Sequence, residues 1–402
     1  VIIGLSRERK NPPDNRVALS PIQCVALQQR YPQIKVFVEA SPTRCFSDDA
    51  YREVGIEVVE DLSHCDVIFN IKEVPSEALI AQKTYFFFSH TIKKQPYNRA
   101  MLQTILQKNI TLIDYEVLRY ETGARVLGFG RYAGVVGTYN GLLVYGKKHG
   151  LFSLTPAHLS KNYADILTQL LRVTLPNIRI AVTGGGRVSQ GALDLLRALQ
   201  IREVTPNQYL HVRYDEPVFV QLNSPDLYVH PTLTQWDTQH FYKHHGEYKS
   251  QFKGYAECTD LLVNGIYWTE DLPRLFEAGD TKDAEKFAPT VIADISCDVE
   301  GSVPITYKAT SIADPVIGWS RGNQSPCEAY TEDSIDVMAV GNLPNELPRD
   351  ASEEFGEMLM HKVIPELVAG GSRLIDGATI ARGGHLTAHF SYLSDFVAES
   401  PE

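Results

Sequence analysis

Three ionisable side chains stand directly after apolar segments that have the length of buried strands. Lys72 follows the residues FNI, His90 follows FFFS, and Glu116 follows LIDY. In open α/β sheets the ligand-binding crevice lies beyond the carboxyl ends of the strands, so the three side chains would face one cleft. A histidine there could transfer protons, because the ordinary pKa of imidazole lies near neutrality. The alternative is that these are solvated side chains at strand ends, and the pattern alone leaves that open.

A second candidate site is the glycine cluster in the segment RIAVTGGGRVSQGALDLLRAL. An apolar strand precedes the glycines and an amphipathic helix follows them, which is the context of the dinucleotide-binding fingerprint. Gly184 would allow the tight turn, Gly186 the close approach of a pyrophosphate, and Arg187 and Val188 would offer N–H groups at the helix start. Ser189 replaces the third glycine of the fingerprint. A glycine-rich turn without a ligand is the alternative.

The residues that would choose between NAD and NADP are ambiguous in the sequence. An acidic residue roughly 20 positions after the glycines should bind the ribose 2'-hydroxyl, and Glu203 is near that position. Thr205, however, ends the strand expected there. Arg202 and Arg213 could instead meet a 2'-phosphate. The cofactor is therefore predicted as NAD or NADP without a preference.

The elements that must position these residues alternate in the order strand, helix, strand, which predicts a parallel sheet covered by helices. Ser20 and Pro21 are expected to begin the first helix. In the first part of the chain we expect helices at 22–30, 47–53, 77–82 and 97–108, and strands at 34–39, 66–71, 85–88 and 110–114. Further along we expect helices at 133–149, 157–173, 351–369 and 388–397, strands at 179–183, 291–295 and 336–340, and an irregular excursion at 206–256.

Composition excludes several classes of protein. With 402 residues, 44% hydrophobic and 22% charged, the chain has globular composition and can form two or three domains. A formal net charge of -11 argues against a nucleic-acid binder. The apolar runs are far shorter than the roughly 20 residues that cross a bilayer, so we predict no membrane segment and a cytoplasmic protein. The six scattered cysteines are expected to be reduced.

Several segments, taken together, resemble the alanine dehydrogenase and saccharopine dehydrogenase superfamily over nearly the whole chain. They are DNRVALSP, NIKEVP, FFFSHTIKK, LIDYEVL, the glycine loop, DISCDVEGS and GNLPNELPRDASEEFG. The stretches KTYFFFSHTIK and VNGIYWTEDLPRL are most similar to the lysine-ketoglutarate reductase (saccharopine-forming) branch. The resemblance implies two Rossmann-like α/β domains with parallel sheets and an active-site cleft between them. Residues 1–150 with 341–402 would form the catalytic domain, and 151–340 the dinucleotide-binding domain.

The same resemblance implies roles for individual residues. The family reaction joins lysine and 2-oxoglutarate, with reduced cofactor, into saccharopine and water. Lys72 and His90 would be the acid/base pair, with Asp298 near the nicotinamide. Arg16 and Arg125 would bind substrate carboxylates. Further substrate and cofactor contacts are implied for Glu73, Glu116 and Asn342.

The pKa of Lys72 would have to be lowered for it to act as a base. Burial and the cations Arg16 and Arg125 would lower it, whereas Glu73 and Asp298 would oppose that change. Without the family match, a surface lysine at a strand end is the simpler interpretation.

One histidine group raises the question of a metal. His240, His244 and His245 lie in the segment HFYKHH, but no HExxH glutamate accompanies them, so we predict a solvated or structural cluster and no catalytic metal.

Three functions remain open: a saccharopine-type oxidoreductase, an alanine or other amino-acid dehydrogenase, and a non-catalytic nicotinamide-binding regulator. The expected partners are small-molecule substrates, with neither nucleic acid nor membrane and with a possible homo-oligomer.

Overall fold

A computed structural model describes residues 1–398 of the protein. The strands, numbered in chain order, are β1 Ile2–Leu5, β2 Lys35–Glu39, β3 Glu57–Val59, β4 Val67–Phe69, β5 Thr84–Phe87, β6 Thr111–Asp114, β7 Arg179–Thr183, β8 Arg202–Val204, β9 Val218–Leu222, β10 Tyr228–Val229, β11 Lys249–Ser250, β12 Leu261–Asn264, β13 Val291–Asp294, β14 Val316–Ser320, β15 Ser325–Cys327, β16 Ser334–Met338, β17 Thr379–Arg382 and β18 His385–Leu386.

The α-helices are α1 Pro21–Arg30, α2 Asp48–Glu53, α3 Arg99–Gln107, α4 Gly130–Lys148, α5 Tyr163–Leu171, α6 Arg187–Ala198, α7 Pro206–His211, α8 Ser224–Leu227, α9 Thr238–Lys243, α10 Lys253–Ala256, α11 Pro348–Met358, α12 Ile364–Val368, α13 Arg373–Ala378 and α14 Ser394–Ala398. Among the described residues, none of these helices combines the length and the apolar composition that crossing a bilayer requires.

The chain divides by its internal packing into two compact units. The first contains Val1–Phe129 and the segment from Pro348 onward, and the second contains Gly130–Leu347. The expected domain boundaries, after residues 150 and 340, placed α4 in the first unit. In the structure α4 belongs to the second unit. The reason is a close helix crossing: a Cβ on Gly134 of α4 would lie 1.8 Å from the Val188 carbonyl oxygen of α6, and one on Gly191 1.9 Å from that of Arg131. Only glycine allows the two backbones to approach so closely.

The first unit is built on an eight-stranded sheet in the order β18-β17-β6-β5-β4-β1-β2-β3. Strands β1 to β6 are parallel, and β17 and β18 add an antiparallel edge. Along β5, Phe86 packs in one apolar cluster while Tyr85 and Phe87 pack in another. Because both faces of the sheet are buried, its strands read as continuous apolar runs. The strand order reverses between β1 and β4, which makes the carboxyl ends of these two strands the topological switch point.

The second unit contains the other eight-stranded sheet, in the order β15-β14-β16-β13-β12-β7-β9-β8. Its central strands are parallel, and β14 and β15 are antiparallel. The predicted α/β fold with two mostly parallel sheets is therefore confirmed. The segment 206–256 is not only an excursion, because β9 lies inside the sheet between β7 and β8.

Most predicted elements are found, and the exceptions have local causes. Ser20 caps α1 in a capping box with Gln23, as its sequence suggested. Residues 77–82 do not form a helix: a 3₁₀ turn covers Ser76–Ala78, and Lys108 Nζ binds the carbonyls of Ser76 and Leu79 at 3.1 and 2.7 Å. The predicted helix 351–369 is interrupted by a π-helical segment, Leu359–Val363, just before Pro365, whose ring nitrogen has no hydrogen to donate.

Candidate active site

The carboxyl ends of β1 and β4 are joined by the side chain of Glu8, which the sequence analysis missed. Its carboxyl oxygens accept the N–H groups of Ile71 at 2.6 Å and of Lys72 at 3.0 Å, just beyond β4. Burial and then the nearby Asp14 carboxylate raise the pKa of Glu8 to about 8, against the opposing effect of the two N–H groups. Glu8 therefore fixes the backbone that presents Lys72. Glu8 follows β1, the neighbour of β4 at the switch point, and an acidic residue at that place is the signal by which the sequence could have identified it.

Lys72 itself is half-buried in a field of mixed charge. Burial first, and then the positive charges of Arg16 and Lys10, lower its pKa, whereas the carboxylates of Asp14 and Glu73 oppose the shift. A lowered pKa is what a lysine needs to release a proton near neutral pH. As expected from the sequence, Arg16 lowers the pKa of Lys72 and Glu73 opposes that change.

Glu73 reaches from the end of β4 to His90 at the end of β5. Glu73 Oε1 lies 2.6 Å from His90 Nδ1, and Lys10 Nζ lies 3.0 Å from Glu73 Oε2. Burial alone would raise the pKa of Glu73, but the hydrogen bond and charge of His90 outweigh it and lower the pKa to about 2. The ionised carboxylate can only accept, so Nδ1 carries the hydrogen of this bond. Nε2 is then the ring nitrogen that can exchange a proton with another group.

The backbone around His90 is held by a buried carboxylate on the next strand. Asp114 Oδ2 accepts from the Ser89 hydroxyl at 2.5 Å and from the Ser89 N–H at 3.2 Å, while Oδ1 accepts from the Glu116 N–H at 2.7 Å. Burial raises the pKa of Asp114 to about 6, although these bonds oppose the shift. His90 itself adopts a left-handed conformation with φ of 51°. This conformation costs energy for a non-glycine residue, and the Asp114 network stabilises it.

Arg16 is almost fully buried, with 3% of its surface exposed. Its Nε and NH2 groups form a two-point contact with Asp14 at 2.9 and 2.5 Å, and its guanidinium lies 4.2 Å from the Phe129 ring centre. Asp14 therefore orients the planar guanidinium and partly neutralises it.

The last predicted pair in this unit is Glu116 and Arg125. Arg125 NH2 lies 2.9 Å from Glu116 Oε1, and the arginine side chain is 43% exposed while that of the glutamate is 11% exposed. The sequence assigned both to the substrate without predicting that they contact each other. A guanidinium offers several N–H donors, and this one is accessible from solvent.

The second unit carries the glycine loop between β7 and α6. Gly184 has φ of 96°, a conformation that favours glycine, and Ser189 Oγ donates to the Thr183 carbonyl at 2.8 Å. Ser189 therefore closes the turn where the fingerprint has its third glycine. Gly186 caps α6, and a Cβ there would meet no atom of the described residues within 4 Å, its chain neighbours aside. An open cradle beside the first turn of a helix, at Arg187 and Val188, fits a pyrophosphate.

A buried polar network braces the strand ends beside this loop. Thr183 Oγ1 donates to Asn264 Oδ1 at 2.7 Å, and Asn264 Nδ2 donates to Asp294 Oδ1 at 2.9 Å. Each of these residues is the last of its strand, β7, β12 or β13. The network therefore fixes the edge of the sheet at which the glycine loop begins. Polar residues in apolar strands were the available sequence signal.

The remaining predicted residues of this unit belong to different elements of the fold. Glu203 pairs with Arg197, and Thr205 caps α7. Asp298 is exposed in the turn after β13, and the Asn342 carbonyl accepts the N–H of Asn345 at 3.0 Å.

The predicted histidine cluster contains a different set of residues from the one the sequence suggested. His230, His240 and Glu247 bring ligand atoms within 4.8 Å of one another, and His244 Nδ1 lies 3.2 Å from Glu247. His230 Nδ1 accepts the N–H groups of Thr232 and Leu233 at 3.2 and 3.1 Å. The proton of that ring is thus on Nε2, facing Glu247, where a metal would need a lone pair.

Comparison with known proteins gives this geometry a context. Residues 4–136 match the family "Alanine dehydrogenase/PNT, N-terminal domain". The α-aminoadipic semialdehyde synthase of Arabidopsis thaliana is 29% identical over 100% of this chain and 42% of its own length, and the mitochondrial protein of that name from Mus musculus is 28% identical over 98% and 47%. The chain spans less than half the length of these relatives. A saccharopine dehydrogenase [NAD(+), L-lysine-forming] from Yarrowia lipolytica is 25% identical over 89% of this chain and 90% of its own length.

The chain is similar in sequence to proteins named saccharopine dehydrogenase and α-aminoadipic semialdehyde synthase. Its fold agrees with that of a solved L-alanine dehydrogenase, with a TM-score of 0.67 at 16% identity over 98% of this chain and 100% of the other. A transhydrogenase from Sinorhizobium meliloti gives a TM-score of 0.58 at 14% identity over 96% and 99%. The resemblance inferred from the motifs is confirmed, and so is the two-sheet α/β fold.

Proposed function

We propose that this relative of the saccharopine dehydrogenases is a nicotinamide-dependent oxidoreductase that interconverts saccharopine with lysine and 2-oxoglutarate. The observation that carries the proposal is the placement of Lys72, Glu73 and His90 at the carboxyl ends of the neighbouring strands β4 and β5, at and beside the switch point. The name of one relative, saccharopine dehydrogenase [NAD(+), L-lysine-forming], favours this substrate among those of amino-acid dehydrogenases.

The glycine loop would hold the cofactor. Gly184 and Gly186 would shape the turn against the pyrophosphate, and the N–H groups of Arg187 and Val188 would face its charge. When bound, the nicotinamide supplies or accepts the hydride of the reaction. Asp298 and Asn342 are further proposed contacts of this half of the chain.

In the direction of synthesis, a bond forms between the lysine side-chain nitrogen and the keto carbon of 2-oxoglutarate, and the keto oxygen leaves as water. The ammonium must lose protons, and the departing oxygen must gain them. His90 is suited to this exchange at Nε2, because Glu73 holds Nδ1 in its protonated form.

Lys72 would be the second proton-transfer group. Burial and the cation Arg16 favour its neutral amine, which can accept a proton from the substrate nitrogen. Glu8 would set the position of Lys72 through two backbone hydrogen bonds, without itself touching the substrate.

The charged ends of the substrates need matching groups. Arg16 and Arg125 would bind carboxylates, since each presents a planar guanidinium already oriented by an acidic neighbour. Glu73 and Glu116 would balance the charge around ammonium groups. A substrate with two amino-acid ends uses more of these groups than alanine would.

The experiment follows the absorbance of the reduced nicotinamide in the purified protein. NADH and NADPH are each offered with lysine plus 2-oxoglutarate, and in parallel with ammonia plus pyruvate. Oxidation that depends on both lysine and 2-oxoglutarate is expected. Turnover with only ammonia and pyruvate would replace the proposal with an alanine dehydrogenase. Cofactor binding without turnover of either pair would favour a non-catalytic regulator.

A further inference from the structure

The strand order of the second unit separates the glycine loop from the residue that sequence spacing assigns to the ribose. In the usual dinucleotide-binding order, the strand that follows the first helix lies beside the first strand and carries the ribose-binding acid. Here β7 pairs with β9 on that side, and β8 pairs with the far edge of β9. The position beside the glycine loop is therefore taken by the end of β9.

Glu203 lies far from the glycine loop, both along the strands and across the sheet. It is level with Phe219, which is level with Ile180, three residues before the end of β7. At the usual strand dimensions this places it about 10 Å short of the carboxyl edge and about 10 Å to the side of β7. Its carboxylate binds Arg197 at 2.8 and 2.9 Å, in the last turn of α6, the end opposite the glycines.

The two arginines considered for a 2'-phosphate are also at the wrong edge. Arg202 opens β8 and binds Glu216 at 2.9 Å, ahead of the start of β9. Arg213 follows Val212, whose carbonyl accepts from Arg179 at the start of β7. Both arginines therefore lie toward the amino-terminal edge of the sheet, and α6 and the glycine loop begin at the other edge.

Asn223 occupies the position that these residues leave. Leu222 is level with Thr183, and its carbonyl accepts the Gly184 N–H at 2.8 Å, so Asn223 directly adjoins the glycine turn. Asn223 Oδ1 would lie 2.8 Å from a Cβ on Gly185, and the Asn223 side chain is exposed. Gln221 Nε2 donates to the Gly184 carbonyl at 3.0 Å, which joins the end of β9 to the loop.

We infer that Asn223, and not Glu203, is the residue that reads the 2'-position of the adenosine ribose, and that its neutral amide admits both NAD(H) and NADP(H). A carboxylate in that place would accept the 2'-hydroxyl and repel a 2'-phosphate, whereas an amide can bond to either. The inference rests on the proposed function only in requiring that the glycine loop binds a nicotinamide dinucleotide.

The test measures the binding of NADH and NADPH to the full chain by fluorescence titration without substrates. Wild type should bind both, with dissociation constants within about tenfold of each other. Asn223→Asp should weaken the binding of NADPH at least about tenfold relative to that of NADH. Asn223→Arg should change the ratio of the two dissociation constants in the opposite direction. Glu203→Gln is the matched control and should leave the ratio unchanged.

Each outcome separates the inference from the proposed function. A ratio altered by Glu203→Gln, or unmoved by both Asn223 substitutions in folded protein, overturns the assignment while leaving the dehydrogenase proposal intact. Wild type that binds neither cofactor overturns both. Because Asn223 is exposed at a loop, circular dichroism should show all three variants folded.

Discussion

Glu73 Oε1 lies 2.6 Å from His90 Nδ1, across the carboxyl ends of two adjacent parallel strands. The bond fixes which ring nitrogen faces Glu73 and so which one can serve a substrate. It also joins the two loops that follow β4 and β5. Lys72, next to Glu73 in the chain, is consequently held in the same strand-end group as His90.

His90→Gln is expected to lower kcat by roughly 100- to 10,000-fold, because glutamine cannot transfer protons near neutral pH. Cofactor affinity should be nearly unchanged. Steady-state kinetics and a cofactor titration measure the two effects. His64→Gln, which changes an exposed histidine of the same unit, should leave both unaltered. Wild-type turnover in folded His90→Gln would remove His90 from the chemistry.

Lys72→Met should also reduce kcat strongly while preserving cofactor binding, because methionine retains most of the length of the side chain and loses the amine. If Lys72 and His90 act as a unit, the double variant should be hardly worse than the worse single variant. The pH profile of kcat is expected to lose one limb in each single variant. Fully additive losses would show that the two residues serve separate steps.

Arg125→Ala should raise the substrate KM far more than it changes cofactor binding, since it removes one charge-assisted contact. The expected loss is roughly 2 kcal/mol, or about 30-fold in KM. Arg119→Ala is the control, because Arg119 is a nearby arginine that donates to the Gly123 carbonyl. Unaltered saturation by both lysine and 2-oxoglutarate would place Arg125 outside the substrate site.

Gly186→Val should abolish detectable cofactor binding without unfolding the protein. The native φ of -81° is allowed for valine, and apart from its chain neighbours no described residue has an atom within 4 Å of the new Cβ. The fold therefore has room for the valine side chain, which would occupy the space that a bound pyrophosphate needs. Gly279→Val, at another glycine with open space, is the control. Unchanged titration of NADH by folded Gly186→Val would refute the assignment of the loop.

Glu8→Gln should alter how stability depends on pH. The folded-state pKa of Glu8, about 8, lies above its ordinary value of 4.5, so its contribution is fully present below 4.5 and is lost as the pH rises to 8. The glutamine variant lacks this loss, and its free energy of unfolding should therefore fall less than that of wild type between about pH 5 and pH 8. Urea unfolding at both pH values measures the difference. Parallel pH dependences in the two proteins would contradict the raised pKa.

The sequence predicted the fold well where local signals and packing agree. The apolar run before His90 is a buried strand with both faces covered, and Ser20 begins a helix with a capping box. Lys72 and His90 lie just beyond the strands where the sequence placed them, because parallel strands deliver their carboxyl ends to one edge of a sheet.

Local sequence signals do not reveal the features of the site that depend on which strands become neighbours. Spacing from the glycines pointed to Glu203, but spacing cannot reveal that β9 is inserted before β8 in the sheet. Glu8 was missed for a similar reason, since its importance arises from β1 pairing with β4. These contacts join distant parts of the chain and leave little local trace.

The position of β9 also constrains how this sheet can assemble during synthesis. β7 pairs with β9 and β12, both made later than β8, so in the folded protein the first strand-helix-strand segment of this sheet does not pair β7 with β8. The exposed edges of β7 and β8 must stay apart until β9 enters between them. Assembly from such non-local contacts is slow, and open strand edges favour self-association. Nascent chains that stop before residue 218 are therefore expected to depend on chaperones more than the finished protein does.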